Sequence, residues 1–234
     1  MCAIFGWNGS INSAMLKDFL RRAEPSGPMS TGLMSVQDNQ LDLWKRAVDA
    51  SYVIRNHNHR VDRMATHSMG IGHTRYATHG QVIDENAHPF TDNNVHFVHN
   101  GVIGNYQQIK RDAVVDSQCL GPLIHRRDIS PAFGSVGLAW FEHIEGHWRM
   151  FCYRHSQGLT AYEVLTTDMK PAILIASRPQ HIPSQHILHQ RAIQLKEGVA
   201  YEVTSAGLIE RWSNPKVAQE FVRETYRNGC YIGG

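Results

Sequence analysis

The chain has 234 residues, 42% of them hydrophobic and 19% charged, with a formal net charge of +2. That is enough apolar material to bury a sizeable core in one domain, and a charge so near balance offers no basic face that would make nucleic acid a primary partner. No stretch approaches the roughly 18 apolar residues of a membrane span, and MCAIFGWNGS lacks the basic start and long apolar core of a signal peptide, so no membrane association and a cytoplasmic location are expected.

Cys2 to Trp7 is a short apolar run ended by Asn8-Gly9, the pattern of a buried strand and its turn. Leu16, Phe19, Leu20 and Ala23 then recur at helical spacing behind the potential caps Asn12 and Ser13, which predicts an amphipathic helix up to Pro25. Pro25-Ser26-Gly27-Pro28 reads as a loop and Leu33 to Val36 as a strand. Leu41 to Ile54 reads as a helix with Trp44, Ala47, Val48 and Ser51 on one face, ended by the polar His-Asn-His-Arg segment. IGHTRYATHG at 71 to 80 and VHFVHNG at 95 to 101 read as short strands broken by glycine. Tyr106, Ile109 and Ala113 suggest a helix, and Leu120, Leu123 and Ile124 another.

The C-terminal half offers LAWFEH, RMFCYRH, TAYEVLTT, AILIAS, AIQL and VAYEV, a long antiparallel set of strands separated by turn residues. There is no internal repeat, low-complexity tract or dividing linker, so residues 1–234 read as a single domain. The order of elements fits stacked layers with sheets inside and helices outside, and pattern alone leaves the α+β topology open.

The cysteines, Cys2, Cys119, Cys152 and Cys230, form no C-x-x-C pair, so neither a disulfide framework nor a zinc knuckle is indicated. Histidine is abundant, with His57 and His59 close together and His181, His186 and His189 in a run, yet neither group has a firm zinc spacing. Surface histidines in loops are the plain expectation, with no metal and no cofactor.

A cysteine directly after the initiator Met is by itself more often a small buried hydrophobe than a nucleophile. Removal of Met1 would change its chemistry, because Cys2 would then carry a thiol and a free α-amine on one residue. That amine has an unperturbed pKa of roughly 8 and can serve as general base for its own thiol.

The blocks MCAIFG, GHTRYATHG (72 to 80), NAHPF (86 to 90), HNGVIGN (99 to 105) and VVDS (114 to 117) occur in this order. Together they resemble the class II, N-terminal-nucleophile glutamine amidotransferases, and are most similar in pattern to the glutaminase domain of the glucosamine-6-phosphate synthases. The match is strong over roughly residues 2 to 120 and looser beyond, where later strands can still be laid over the family's in order. The resemblance implies a four-layer αββα fold with two stacked, mainly antiparallel sheets.

It also implies residue roles. Cys2 is the implied nucleophile, forming a γ-glutamyl thioester, and Asn100 with the backbone N–H of Gly101 is the implied oxyanion hole. Free glutamine carries an α-carboxylate and an α-ammonium, and Arg75 and Asp116 match the residues that hold them. Thr78 and His79 are implied to line the glutamine pocket, and His88 to act as a structural buttress. Tyr76 stands where the sugar-phosphate enzymes carry Trp at a position that gates ammonia. Taken alone, His99-Asn100-Gly101 would read as an ordinary turn, and Arg75 and Asp116 as salt-bridge residues.

Two departures matter. No synthetase domain is recognisable within the chain, so a separate synthetase is the expected partner, with L-glutamine as substrate. The segment between Asp116 and Gly134 is short for the sugar-phosphate enzymes, so a trimmed outer helical layer is expected, and the acceptor stays open. The alternatives are an N-terminal-nucleophile amidase acting on another amide and a non-catalytic regulatory module.

Overall fold

The computed structural model describes residues 2–214; Cys230 lies outside the described residues. Strand β1 (Ala3–Gly9) leads into helix α1 (Ser13–Ala23), whose first turn is capped as expected: the Asn12 side chain accepts from the Met15 N–H at 2.9 Å. Met15, Leu16, Phe19, Leu20 and Ala23 turn inward, and the Phe19 ring stacks on Phe5 with centroids 5.0 Å apart. Each such large side chain contributes roughly 1.5–3 kcal/mol of burial.

The expected helix over 41–54 does not form. Strand β2 (Ser30–Gln37) turns at Asp38-Asn39, both with positive φ, and returns as β3 (Gln40–Arg46). A two-residue turn of that handedness matches strand twist, and the hairpin gives Leu41 to Lys45 a full set of ladder partners. The alternation of Leu41 and Leu43 with polar neighbours was the better signal than the helical spacing of Trp44, Ala47 and Val48. Helix α2 (Ala50–Asn56) follows, and the polar segment expected to end a helix instead opens α3 (Asn58–Ala65).

Strand β4 (Met69–Arg75) is followed by β5 (Phe90–Asp92) and β6 (Val95–Ile103). Helix α4 (Tyr106–Ile109), a 3-10 turn at Asp116–Cys119 and helix α5 (Leu120–His125) come next. The remaining strands are β7 (Gly134–Ile144), β8 (His147–His155), β9 (Thr160–Thr166), β10 (Pro171–Ala176), β11 (Ile187–Gln194), β12 (Val199–Thr204) and β13 (Gly207–Ser213). The first sheet has the order β11-β9-β10-β1-β4-β2-β3, the second β13-β12-β8-β7-β6-β5, and neighbouring strands in both pair antiparallel.

Three apolar cores give the layering. One packs α1, α2 and α3 on the first sheet, one fills the space between the sheets, and one packs the 116–125 helices on the second. This is the expected αββα arrangement, with β1 at the centre of its sheet. The outer layer on the second sheet is built of short helical turns, as the brief 116–134 segment implied.

The histidine run departs from expectation. His186 is partly buried and His189 exposed, but His181 is buried, its Nε2 3.1 Å from Ser26 Oγ, because the 3-10 turn at Pro179–His181 tucks its ring inward. Among the described residues no helix is long and apolar enough to cross a membrane.

Candidate active site

Strand alternation places the candidate residues at the seam between the sheets. On β1, Ala3, Phe5 and Trp7 face the helices while Ile4 faces the second sheet; Cys2, two residues before Ile4, shares its side. On β4, Thr74 points to the helices, its hydroxyl donating to the Ala23 carbonyl at 2.8 Å, so His73 and Arg75 point the other way. On β6, Val98 packs between the sheets while Phe97 and Ile103 pack outward, which puts Asn100 on the inner side.

The partly buried Cys2 thiol sits in the backbone of Tyr76, with Sγ 3.3 Å from the Tyr76 amide nitrogen and 3.4 Å from its carbonyl oxygen. Burial pushes the thiol's pKa up and outweighs the Tyr76 hydrogen bond and the Arg75 charge, which lower it; Asp116 raises it further. The thiol is therefore protonated at neutral pH, and attack needs a base. The field of Asp116 also reaches Arg75.

Arg75 is buried, and burial lowers its pKa against the opposing pull of Cys2 and Asp116. Its guanidinium donates to the carbonyl oxygens of His79 and Gln81, so it folds the following loop back over itself. Asp116, 3% exposed, accepts from the Ile103 N–H at 3.0 Å through Oδ2. Its Oδ1 lies 3.9 Å from His79 Nδ1, a ring nitrogen with no hydrogen-bond partner among the described residues.

Asn100 is 3% exposed, and no hydrogen bond among the described residues engages its side-chain amide. Its amide is not among the solvent-shut polar atoms that lack a partner, so it keeps access to the site and is free to donate to a ligand there. Gly101 adopts φ +147, and a Cβ there would meet the Ser135 carbonyl oxygen at 1.9 Å, so only glycine fits.

Other candidates are less engaged. Thr78 is exposed and makes no hydrogen bond among the described residues, and the Tyr76 side chain is 47% exposed at the mouth of the site. His88 is a buried ring 4.0 Å from His73 and edge-on to Phe90 at 4.6 Å, the buttress position.

Four residues of this neighbourhood escaped the sequence reading. His73 Nε2 crosses the seam to the His99 carbonyl at 2.9 Å, and His99 Nδ1 lies 2.9 Å from Ser117 Oγ. Lys45 donates to the Glu85 and Ala87 carbonyls at 3.1 and 2.8 Å and sits over the Phe90 ring, pinning the loop that carries His88. His73, His99 and Ser117 lay inside the matched blocks, where their being histidine or serine was the available signal; nothing local marked Lys45.

No protein-family model matches the chain. Sequence relatives are glutamine–fructose-6-phosphate aminotransferases (isomerizing). That of Clostridium acetobutylicum is 35% identical over 113 residues, 47% of this chain and 18% of the relative. That of Acinetobacter baylyi is 40% identical over 114 residues, 48% of this chain and 18% of the relative. The chain thus aligns with under a fifth of the length of these relatives. Among solved structures, the glutamine phosphoribosylpyrophosphate amidotransferase of Bacillus subtilis superposes with a TM-score of 0.67 at 20% identity, covering 90% of this chain and 49% of that one. A glutamine aminotransferase class-II domain protein from Silicibacter pomeroyi superposes with a TM-score of 0.53 at 17% identity, covering 92% and 100%. The resemblance read from the motifs is borne out: over about half its length the chain is similar in sequence to the glutamine–fructose-6-phosphate aminotransferases, and its fold is that of these two solved structures.

Proposed function

We propose that the chain is a single glutaminase domain that hydrolyses L-glutamine to glutamate and ammonia and supplies the ammonia to a separate synthetase. The observation that supports this reading is a thiol set in the Tyr76 backbone within the field of Arg75 and Asp116, with the unengaged Asn100 amide on the inner face of β6. In this reading Arg75 holds the α-carboxylate and Asp116 the α-ammonium, with Thr78 and His79 at the pocket edge.

Once Met1 is removed, the α-amine of Cys2 takes the thiol proton as sulfur adds to the δ-carbonyl carbon of glutamine. The tetrahedral oxyanion is met by the Asn100 amide and the Gly101 N–H. Collapse breaks the C–N bond, the ammonium of Cys2 returns its proton to the leaving group, and ammonia departs from a γ-glutamyl thioester. Water then adds with the same amine as base, and cleavage of the C–S bond releases glutamate and restores the thiol. Tyr76, Val82 and Ile83 are exposed apolar side chains of the loop that follows β4, material suited to docking a partner that receives ammonia.

The test is release of glutamate and ammonia by protein whose intact mass shows loss of Met1, against a Cys2→Ala control and a panel of other primary amides. Faster turnover of an amide lacking the α-carboxylate and α-ammonium would replace this reading with a general amidase. Full-speed glutamine turnover by the isolated chain, with no synthetase captured from native lysate, would make it a free-standing glutaminase.

A further inference from the structure

His99 precedes Asn100 on β6, and its side chain points away from the nucleophile into the outer core. Its Nε2 lies 3.2 Å from the Ser135 carbonyl oxygen, an atom that only accepts. Burial keeps the ring neutral, so Nε2 carries the hydrogen and Nδ1 accepts from the Ser117 hydroxyl at 2.9 Å. Ser117 is the residue after Asp116.

The same Ser135 carbonyl lies against Gly101, where a Cβ would also stand 2.8 Å from His99 Nε2. The imidazole therefore underlies the glycine. From the opposite sheet, His73 Nε2 donates to the His99 main-chain carbonyl at 2.9 Å, and the His88 ring backs His73. Beyond Phe97 the short β5 no longer pairs with β6, so on that side no strand among the described residues holds the 99–101 backbone.

We infer that His99 is a positioning residue that, through Ser117 and Ser135, registers the 99–101 backbone against Asp116, while His73 fixes that backbone from the other sheet. The inference rests on the roles proposed above for Asn100, Gly101 and Asp116. It makes one frame of the groups that bind the α-ammonium and those that meet the oxyanion. Breaking the Ser117 link leaves every group that touches glutamine present but lets the two halves of the site shift, and a displacement near 1 Å can cost about 100-fold in rate.

Ser117→Ala is expected to lower kcat about 10- to 100-fold while KM for glutamine changes less than about threefold. Ser117→Thr, which keeps the hydroxyl, should recover most of the rate. An unchanged kcat in Ser117→Ala, an equal loss in Ser117→Thr, or a loss carried by KM would overturn the inference. If Ser117→Ala does not fold, His73→Gln, able to donate to the His99 carbonyl, and His73→Leu, unable to, give the same contrast of rescue and loss. A readout independent of turnover is the ¹⁵N spectrum of the imidazoles, where His99 should be the neutral Nε2–H tautomer at pH 7. A charged ring or the Nδ1–H tautomer overturns the inference whatever the activity, whereas that tautomer in a wild-type protein inert towards glutamine overturns the glutaminase reading instead.

Discussion

Asn100→Ala isolates the proposed oxyanion donor with little structural confusion. The Asn100 amide makes no hydrogen bond among the described residues, so its loss breaks none of them, and its backbone stays paired opposite Gly137 on β7. What disappears is one donor to an oxygen that becomes charged only as the tetrahedral intermediate forms. Such a donor contributes about 2.7–4 kcal/mol, a loss of about 100- to 1000-fold in kcat. Glutamine in its ground state presents a neutral carbonyl and would keep the contacts proposed for Arg75 and Asp116, so KM should move by less than about threefold. Initial rates of glutamate formation across a range of glutamine concentrations give both constants, and a thermal melt confirms the fold. A kcat within tenfold of wild type, in a protein that melts normally, would refute Asn100 as the donor.

The remaining expectations concern the nucleophile, the substrate clamp and the buried imidazoles. Retention of Met1, or an N-terminal tag, should abolish hydrolysis because it turns the basic amine into an amide while leaving the thiol in place; intact mass beside an ammonia assay reads this, and full activity in a Met1-retaining sample would assign the base to another group. Arg75→Lys should raise KM about tenfold or more, since an ammonium cannot hold the His79 and Gln81 carbonyls and also fork onto a carboxylate; an unchanged KM removes Arg75 from the clamp. Burial lowers His73 to about 3 and depresses His88 and His99 as well. The unfolded chain, with ordinary imidazoles near pKa 6.5, binds protons that the folded chain refuses, so stability is full above that pH and falls as pH drops below it. At pH 5 the loss is about 2 kcal/mol for His73 alone, and urea midpoints equal at pH 7 and pH 5 would contradict it.

Much of this was legible in the sequence because it is local. The alternation of Cys2 to Trp7, the Asn12 cap with its apolar stripe, and the ordered blocks around Arg75, Asn100 and Asp116 each depend on residues close in the chain. The reading of 41–54 failed because two periodicities overlapped there, and the positive φ at Asp38 and Asn39 decided between them. His99 and Ser117 stood inside recognised blocks, yet their bond joins residues 18 positions apart through a buried contact no spacing announces.

By itself the sequence determined an α+β chain of sheets and helices, since hydrophobic period is written residue by residue, and its ordered blocks carried the resemblance that implied the αββα layering and the proposed roles of Cys2, Arg75, Asn100 and Asp116. Only the tertiary structure decided how the C-terminal strands divide, with β9, β10 and β11 joining the sheet of Cys2 and β7, β8, β12 and β13 that of Asn100. It alone decided that His73 on β4 holds the His99 carbonyl on β6. Both outcomes turn on which apolar faces meet across the seam, a choice set by packing between segments far apart in the chain, where local propensity is silent.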